Sequence, residues 1–308
     1  MNIIDTNSWN NELDKMVIIG GSARSGTTII GKLIHSLKNI EYQFEPPMLV
    51  SLLLKQNELK EKSLKELLQF YFFDNFLLDS LAGRNINLNK NDDSCILNVK
   101  SEKDINKRQV TSLTRIELES LATSSIFSFK LPEVVFFLDI IEKLFPQNRK
   151  ILMHRNPNDV INSIVKKKWF SDEFLNKNNS SQVVAVEIID NIKIPYWIKE
   201  EDKSSWIKSD ELNRCAYYYQ RISEEILNNS KGSIIIDYDE FIKRPDELFK
   251  KIVYLFSLEY GEKTQEILDT VKYQEKKREN YLTGLNSDLL LNIENLDKKL
   301  KELSVKWN

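Results

Sequence analysis

The sequence predicts an α/β fold of three layers, a central parallel sheet flanked by helices. Three observations predict it. Short apolar runs at residues 16–19, 150–154 and 233–237 have the length of buried parallel strands. Segments with apolar residues at helical spacing follow them, as in Ile29, Ile30, Leu33, Ile34 and Leu37. No internal repeat or long linker interrupts this alternation, and alternating strands and helices build a parallel sheet covered on both faces.

Each element has its own justification. Residues 16–19 (MVII) end at a glycine pair, as a strand running into a loop does, and residues 27–37 form the helix beyond it. Residues 49–81 alternate apolar and charged faces and read as helical, while the Asn-rich stretch 84–93 reads as a loop. A weak helix is expected over 111–124. Residues 125–130 (SIFSFK) alternate like a strand edge and run into Pro132. Residues 133–145 are apolar at helical spacing and Pro146 stops them. The strand at 150–154 leads to a helix over 158–169, with Asn156 or Asn158 as cap and Pro157 near its start. Residues 171–205 are polar and flanked or crossed by Trp169, Trp197 and Trp206. A helix at 212–228, the strand at 233–237 and an amphipathic helix at 245–256 complete the pattern.

The 308 residues suffice for one large α/β domain or two small ones. We read a single domain over 1–308, with helical insertions around 50–125 and 165–230. Acidic and basic residues number 46 and 44, a net charge of -2, so charge gives no argument for a nucleic-acid partner or an anionic membrane. Cys95, Cys215, His35 and His154 are too few and too scattered to build a metal-ligand cluster, and no metal is expected. No apolar run approaches the roughly 20 residues of a membrane span. The polar first fifteen residues lack a signal-peptide core. The expectation is a soluble, cytoplasmic protein.

The strongest local signal is GGSARSGTT, from Gly20 to Thr28. Backbone N–H groups of a tight loop entering a helix point at an anion, and the helix dipole adds attraction. Gly21 and Gly26 have the spacing of a Walker loop, but Thr27 and Thr28 follow Gly26 where a kinase or ATPase carries lysine. Arg24 lies inside the loop instead, where a guanidinium can fork onto an oxyanion. A Gly-rich turn without ligand would also account for the glycines.

The run Arg24-Ser25-Gly26-Thr27-Thr28 resembles the phosphosulfate loop of PAPS-dependent sulfotransferases, where PAPS is 3'-phosphoadenosine 5'-phosphosulfate and PAP its desulfonated product. The resemblance implies a P-loop NTPase-like fold and assigns Ser22, Ala23, Arg24, Ser25, Gly26, Thr27 and Thr28 to the cofactor. Arg24 would steady its bridging oxygen. Tyr42-Gln43-Phe44-Glu45-Pro46 is similar to the corresponding run of carbohydrate sulfotransferases, and tyrosylprotein sulfotransferases place a catalytic glutamate at this distance. A carboxylate before two prolines lies on a loop, and alone it would read as a solvated Glu. The resemblance makes Glu45 the general base, and neither His35 nor His154 fits the histidine role of the phenol and steroid branch.

Lys130 ends its strand, where α/β sheets bind ligands, and by resemblance it touches the leaving phosphate or the sulfuryl group. A solvated lysine at a strand end is an equal account. Arg155 and Ser163 in HRNPNDVINS can converge on one phosphate. With Pro157 and Val160 they resemble the family's 3'-phosphate motif. The segment 234–258 resembles the late strand and helix of the family. Lys276, Lys277 and Arg278 resemble its late basic loop, although a charge run is usually a solvated face.

These matches imply in-line sulfuryl transfer to a hydroxyl on a small-molecule or glycan acceptor, a carbohydrate on the FEP match. The insertions would form the acceptor side, where Trp169, Trp197 and Trp206 either stack on sugar rings or pack against the core. Two other readings share the fold: a nucleotide or small-molecule kinase, and a non-catalytic nucleotide-binding protein.

Overall fold

The computed structural model describes residues 9–180, 184–273 and 282–305. Strand β1 (Val17–Gly21) is buried throughout and leads through the glycine-bearing loop into α1 (Thr27–Ser36). Strand β2 (Ile40–Phe44) follows directly. The sequence reading passed over β2 because Glu41 and Gln43 break the apolar run; it lies at one edge of the main sheet, where such residues are tolerated.

Residues 49–81 are helical but not one helix. Leu49–Leu53 is α, Leu54–Asn57 is 3-10, Glu61–Gln69 is α, and Phe70–Leu78 widens into a π-helix before Asp79–Leu81. The π stretch places Phe72 and Phe76 against Phe127, at centroid distances of 5.2 and 6.2 Å. A further helix, Glu102–Val110, was not anticipated; it carries little apolar periodicity but is capped by Ser101, which accepts from the Asp104 N–H. Arg115–Thr123 realises the weak helix and carries a capping box between Thr114 and Glu117.

Strand β3 (Ile126–Lys130) lies inside the sheet, paired on both sides. A 3-10 turn, Pro132–Phe137, and the helix Leu138–Leu144 carry the chain to β4 (Arg149–His154). Helix α2 (Pro157–Val165) starts at Asn156, whose side chain accepts from the Asn158 N–H, with Pro157 in the first turn. The polar stretch that follows contains an antiparallel hairpin, β5 (Ala185–Ile189) and β6 (Ile192–Pro195). Its Asp190 and Asn191 turn with positive φ is the hairpin signal the sequence reading missed. Helix α3 (Glu211–Asn228), strand β7 (Ser233–Asp237), helix α4 (Pro245–Leu255) and helix α5 (Ser287–Val305) follow.

The main sheet is parallel in the order β2-β3-β1-β4-β7. One face packs Ile30, Leu33 and Ile34 of α1 with Phe249 and Ile252 of α4. The other packs Phe72, Phe129, Phe145 and the apolar stripe of α3. The chain leaves β1 toward β2 on one side and β4 toward β7 on the other, so a crevice opens at the carboxyl ends of β1 and β4. Among the described residues no helix is long and apolar enough to cross a membrane.

Candidate active site

The crevice is built from four strand ends. After β1 the backbone turns sharply, with φ of 121° at Gly21, 66° at Arg24 and 89° at Gly26. Two of these positions tolerate no side chain. A Cβ on Gly21 would stand 2.2 Å from the Met153 carbonyl oxygen, and one on Gly26 would stand 2.2 Å from the Tyr238 ring. Ser25 ties the loop down from inside: its Oγ donates to the Ser22 carbonyl and, at 3.4 Å, to the Met153 carbonyl. Thr27 and Thr28 open α1, whose first amides have no intrahelical acceptor. The loop is thus a concave set of N–H groups at a helix N-terminus, suited to an anion.

The end of β4 completes this half. Arg155 donates through Nη1 to the Arg24 carbonyl at 3.1 Å and through Nη2 to Asp159 at 3.0 Å, and its guanidinium stacks 4.9 Å from the Tyr238 ring centroid. Its Nε is buried without a partner. Arg24 Nε donates to Ser163 Oγ at 2.9 Å. The structure therefore gathers Arg24, Arg155 and Ser163 into one cluster. The Arg24 guanidinium turns toward Ser163 on α2, from a left-handed backbone position.

The other half lies at the ends of β3 and β2. Lys130 is almost wholly buried, and its Nζ forms an ion pair with Glu45 Oε1 and lies 4.1 Å from the Phe44 ring centroid. A buried ammonium needs such partners to offset its lost hydration. Glu45 follows β2 on a loop, as its prolines require, with φ of 44° and its N–H bonded to the Lys130 carbonyl at 2.8 Å. Non-glycine residues in this region cost about 1–3 kcal/mol, and such strain collects at working sites. Its carboxylate remains about half exposed.

Two residues missed from sequence link the halves. The Tyr218 hydroxyl accepts the Ala23 N–H at 3.2 Å and donates to Glu133 Oε1 at 3.1 Å. Burial holds that phenol well above its ordinary range, with the Glu133 charge adding, so the hydroxyl stays a donor. Burial also raises the Glu133 carboxyl, opposed in part by the Tyr218 hydrogen bond and by Lys130. In sequence Tyr218 is one member of an apolar stripe on α3, and nothing there separates it from core. Glu133 stands three residues beyond Lys130 and could have been suspected from that spacing.

Other expectations resolve differently. Trp197 and Trp206 do not face the crevice: they meet edge-on at 5.2 Å within a buried cluster with Phe170, and the Trp206 indole N–H donates to the Lys193 carbonyl at 3.3 Å. Trp169 is half-buried against the same core. The family-like basic residues Lys276, Lys277 and Arg278 lie outside the described residues. His154 is buried, 3.0 Å from Asp297 of α5.

The sequence profile described as "Sulfotransferase family" matches residues 16–262, from β1 past α4. No curated protein sequence matches the chain. Among solved structures, sulfotransferase STF9 from Mycobacterium avium is 12% identical, covering 96% of this chain and 79% of that one, with a TM-score of 0.48. The sulfotransferase domain of the Synechococcus PCC 7002 olefin synthase is 15% identical, covering 94% and 95%, with a TM-score of 0.49. A sulfotransferase from Alicyclobacillus acidocaldarius is 11% identical, covering 94% of both chains, with a TM-score of 0.42.

Proposed function

We propose, since the chain belongs to the sulfotransferase family, that it moves a sulfuryl group from PAPS to a hydroxyl of a carbohydrate acceptor, with Glu45 as general base. The observation that carries this reading is the joint arrangement of an anion-binding loop, a cationic cluster and a carboxylate–lysine pair around one crevice.

The residues fit a nucleotide bearing phosphate at two places. Gly21 and Gly26 allow the left-handed turns that hold the loop close against Met153 and Tyr238. Arg155 keeps a buried Nε without a partner, a donor suited to an anion. Ser22 to Thr28, Arg24 among them, would hold the 5' end, and Arg155 and Ser163 the 3'-phosphate. PAPS would supply the activated sulfuryl group.

The remaining chemistry belongs to the chain. Lys130 fixes one carboxylate oxygen of Glu45, Oε1, and so orients the other toward an acceptor hydroxyl. Glu45 takes the hydroxyl proton as the acceptor oxygen attacks sulfur. Lys130, the loop amides and Arg24 offset the charge that grows on the departing phosphate. The similarity of the Phe44-Glu45-Pro46 run to carbohydrate sulfotransferases supports a sugar acceptor.

Glu45→Gln keeps the shape and removes the base. Its turnover with PAPS and a sugar acceptor is expected to fall by about 10²–10⁴-fold, with PAP affinity kept within about twofold. Turnover near that of the unaltered protein would remove Glu45 from the chemistry.

A further inference from the structure

Helix α5 packs along α3 through Leu289, Ile293 and Leu300, a buried stripe at helical spacing. Asp297 lies on the same stripe, four residues after Ile293 and three before Leu300, where the spacing predicts another apolar residue. Its side chain is only 16% exposed. A carboxylate in such a place needs partners, and it has two. Oδ1 meets His154 Nε2 at 3.0 Å, and Oδ2 accepts from the Lys301 ammonium at 2.7 Å. The carboxylate can only accept, so Nε2 carries the imidazole hydrogen it receives.

His154 is the last residue of β4, and Arg155 follows it. The same stretch is held from a second side. Tyr219 of α3 is fully buried, and its hydroxyl donates to the Arg155 carbonyl at 3.1 Å and stands 3.5 Å from His154 Nδ1. A third hold comes from β7. Asp237 lies beside His154 in the sheet register and accepts from the Asp239 N–H at 2.8 Å. That bond caps the short helix which Tyr238 opens, and the Tyr238 ring stacks on the Arg155 guanidinium.

Arg155 thus has its backbone and its side chain fixed separately. Tyr219 holds the carbonyl, while Tyr238 and Asp159 hold the guanidinium. Packing alone does not ask for these polar groups. Phenylalanine at 219 would fill nearly the same volume, and an aliphatic residue at 297 would complete the stripe on α5. Both polar groups are directed instead at the end of β4. An arginine meets a phosphate well only from a fixed position, because a shift of about 1 Å spoils directed hydrogen bonds. Asp297 and Lys301 also lie beyond residues 16–262, which the family profile matches.

We propose that Tyr219 and Asp297 are positioning residues for Arg155, and that they set how strongly the site prefers a nucleotide bearing a 3'-phosphate over one without it. The proposal rests on the sulfotransferase reading above.

The test is calorimetry on the full chain with two probes, PAP and adenosine 5'-phosphate, which differ only in the 3'-phosphate. The unaltered protein is expected to bind PAP about 10²-fold more tightly. No binding of PAP, or no gap between the two, overturns the sulfotransferase reading and this proposal together. Tyr219→Phe keeps the ring and removes the hydroxyl. It is expected to narrow the gap about fivefold, with the affinity for adenosine 5'-phosphate held within about twofold. A merely structural hydroxyl would lower the melting temperature and leave the gap alone, or weaken both nucleotides alike. Each of those results, with PAP still preferred by the unaltered protein, overturns the proposal alone. Asp297→Ala is expected to narrow the gap about threefold, and Asp297→Asn, which keeps an oxygen acceptor for His154, to restore it. An intact gap in Asp297→Ala, or an Asp297→Asn variant no better than Asp297→Ala, removes Asp297 from the brace. If Asp297→Ala does not fold, Tyr219→Phe decides.

Discussion

The two halves of the crevice are assembled by different means. At the ends of β1 and β4 the arrangement is local: nine consecutive residues form the loop, and Arg155 and Ser163 lie eight residues apart, at the end of β4 and on α2. At the ends of β2 and β3, it is assembled from afar, since Lys130 and Glu45 are 85 residues apart and meet only because their strands pair in register. Phosphate is bound by backbone and fixed charge, which need little beyond a turn and a helix start. An acceptor hydroxyl needs a base and a shaped pocket, which only tertiary packing provides. The first kind of site leaves a sequence signature and the second barely does.

The sharpest way to break this division is Arg24→Ala. It removes the link to Ser163 and a charge at the centre of the phosphate half. The expected loss in kcat/KM is about 10³-fold or more, measured by steady-state release of PAP. A loss confined to a few-fold would mean that the loop backbone suffices without the guanidinium. Tyr218→Phe probes the bridge between the halves. It leaves the Ala23 N–H and Glu133 without a shared partner, and PAP affinity is expected to fall about tenfold with kcat changed less. An equal effect on kcat would show that Tyr218 acts on the acceptor half as well.

The smallest effect is expected at Asp297, which braces the phosphate half from below through His154 at the end of β4. Burial alone would raise its carboxyl, but hydrogen bonds from His154 and Lys301 outweigh it and hold the carboxyl below its ordinary range. A folded-state pKa lower than the unfolded value of about 3.9 gives stability that is present above that value and lost as pH falls through the folded one. Asp297→Asn is therefore expected to melt a few degrees lower at neutral pH, with the gap closing in acid below about pH 4. Thermal melts across that range check the sign, and a gap that widens in acid would contradict it.

Much of the parallel sheet was legible in the sequence. Ser233–Asp237 is a strand at the bounds read from it, and β1 and β4 are displaced by a residue or two. β2 was not legible, because an edge strand carries polar residues on a five-residue run. The hairpin of β5 and β6 was hidden in a stretch whose composition reads as loop. On the phosphate side the pairing of Arg155 with Ser163 could be anticipated, but not that Arg24 would reach toward Ser163. On the acceptor side Glu45 and Lys130 were named without any sign that they would pair. Tyr218 was silent, since a buried polar tip on an apolar ring looks like core until its partner is seen.

The central claim is that the loop after β1 and the cluster after β4 together bind the two phosphates of PAP. Calorimetric titration with PAP tests it most directly, with ATP as the competing ligand and Arg155→Ala and Ser163→Ala alongside. Micromolar binding of PAP is predicted, at least tenfold tighter than ATP, with Arg155→Ala weakening it about 10²-fold and Ser163→Ala about tenfold. ATP binding as tightly as PAP, with both variants indifferent, would contradict the account.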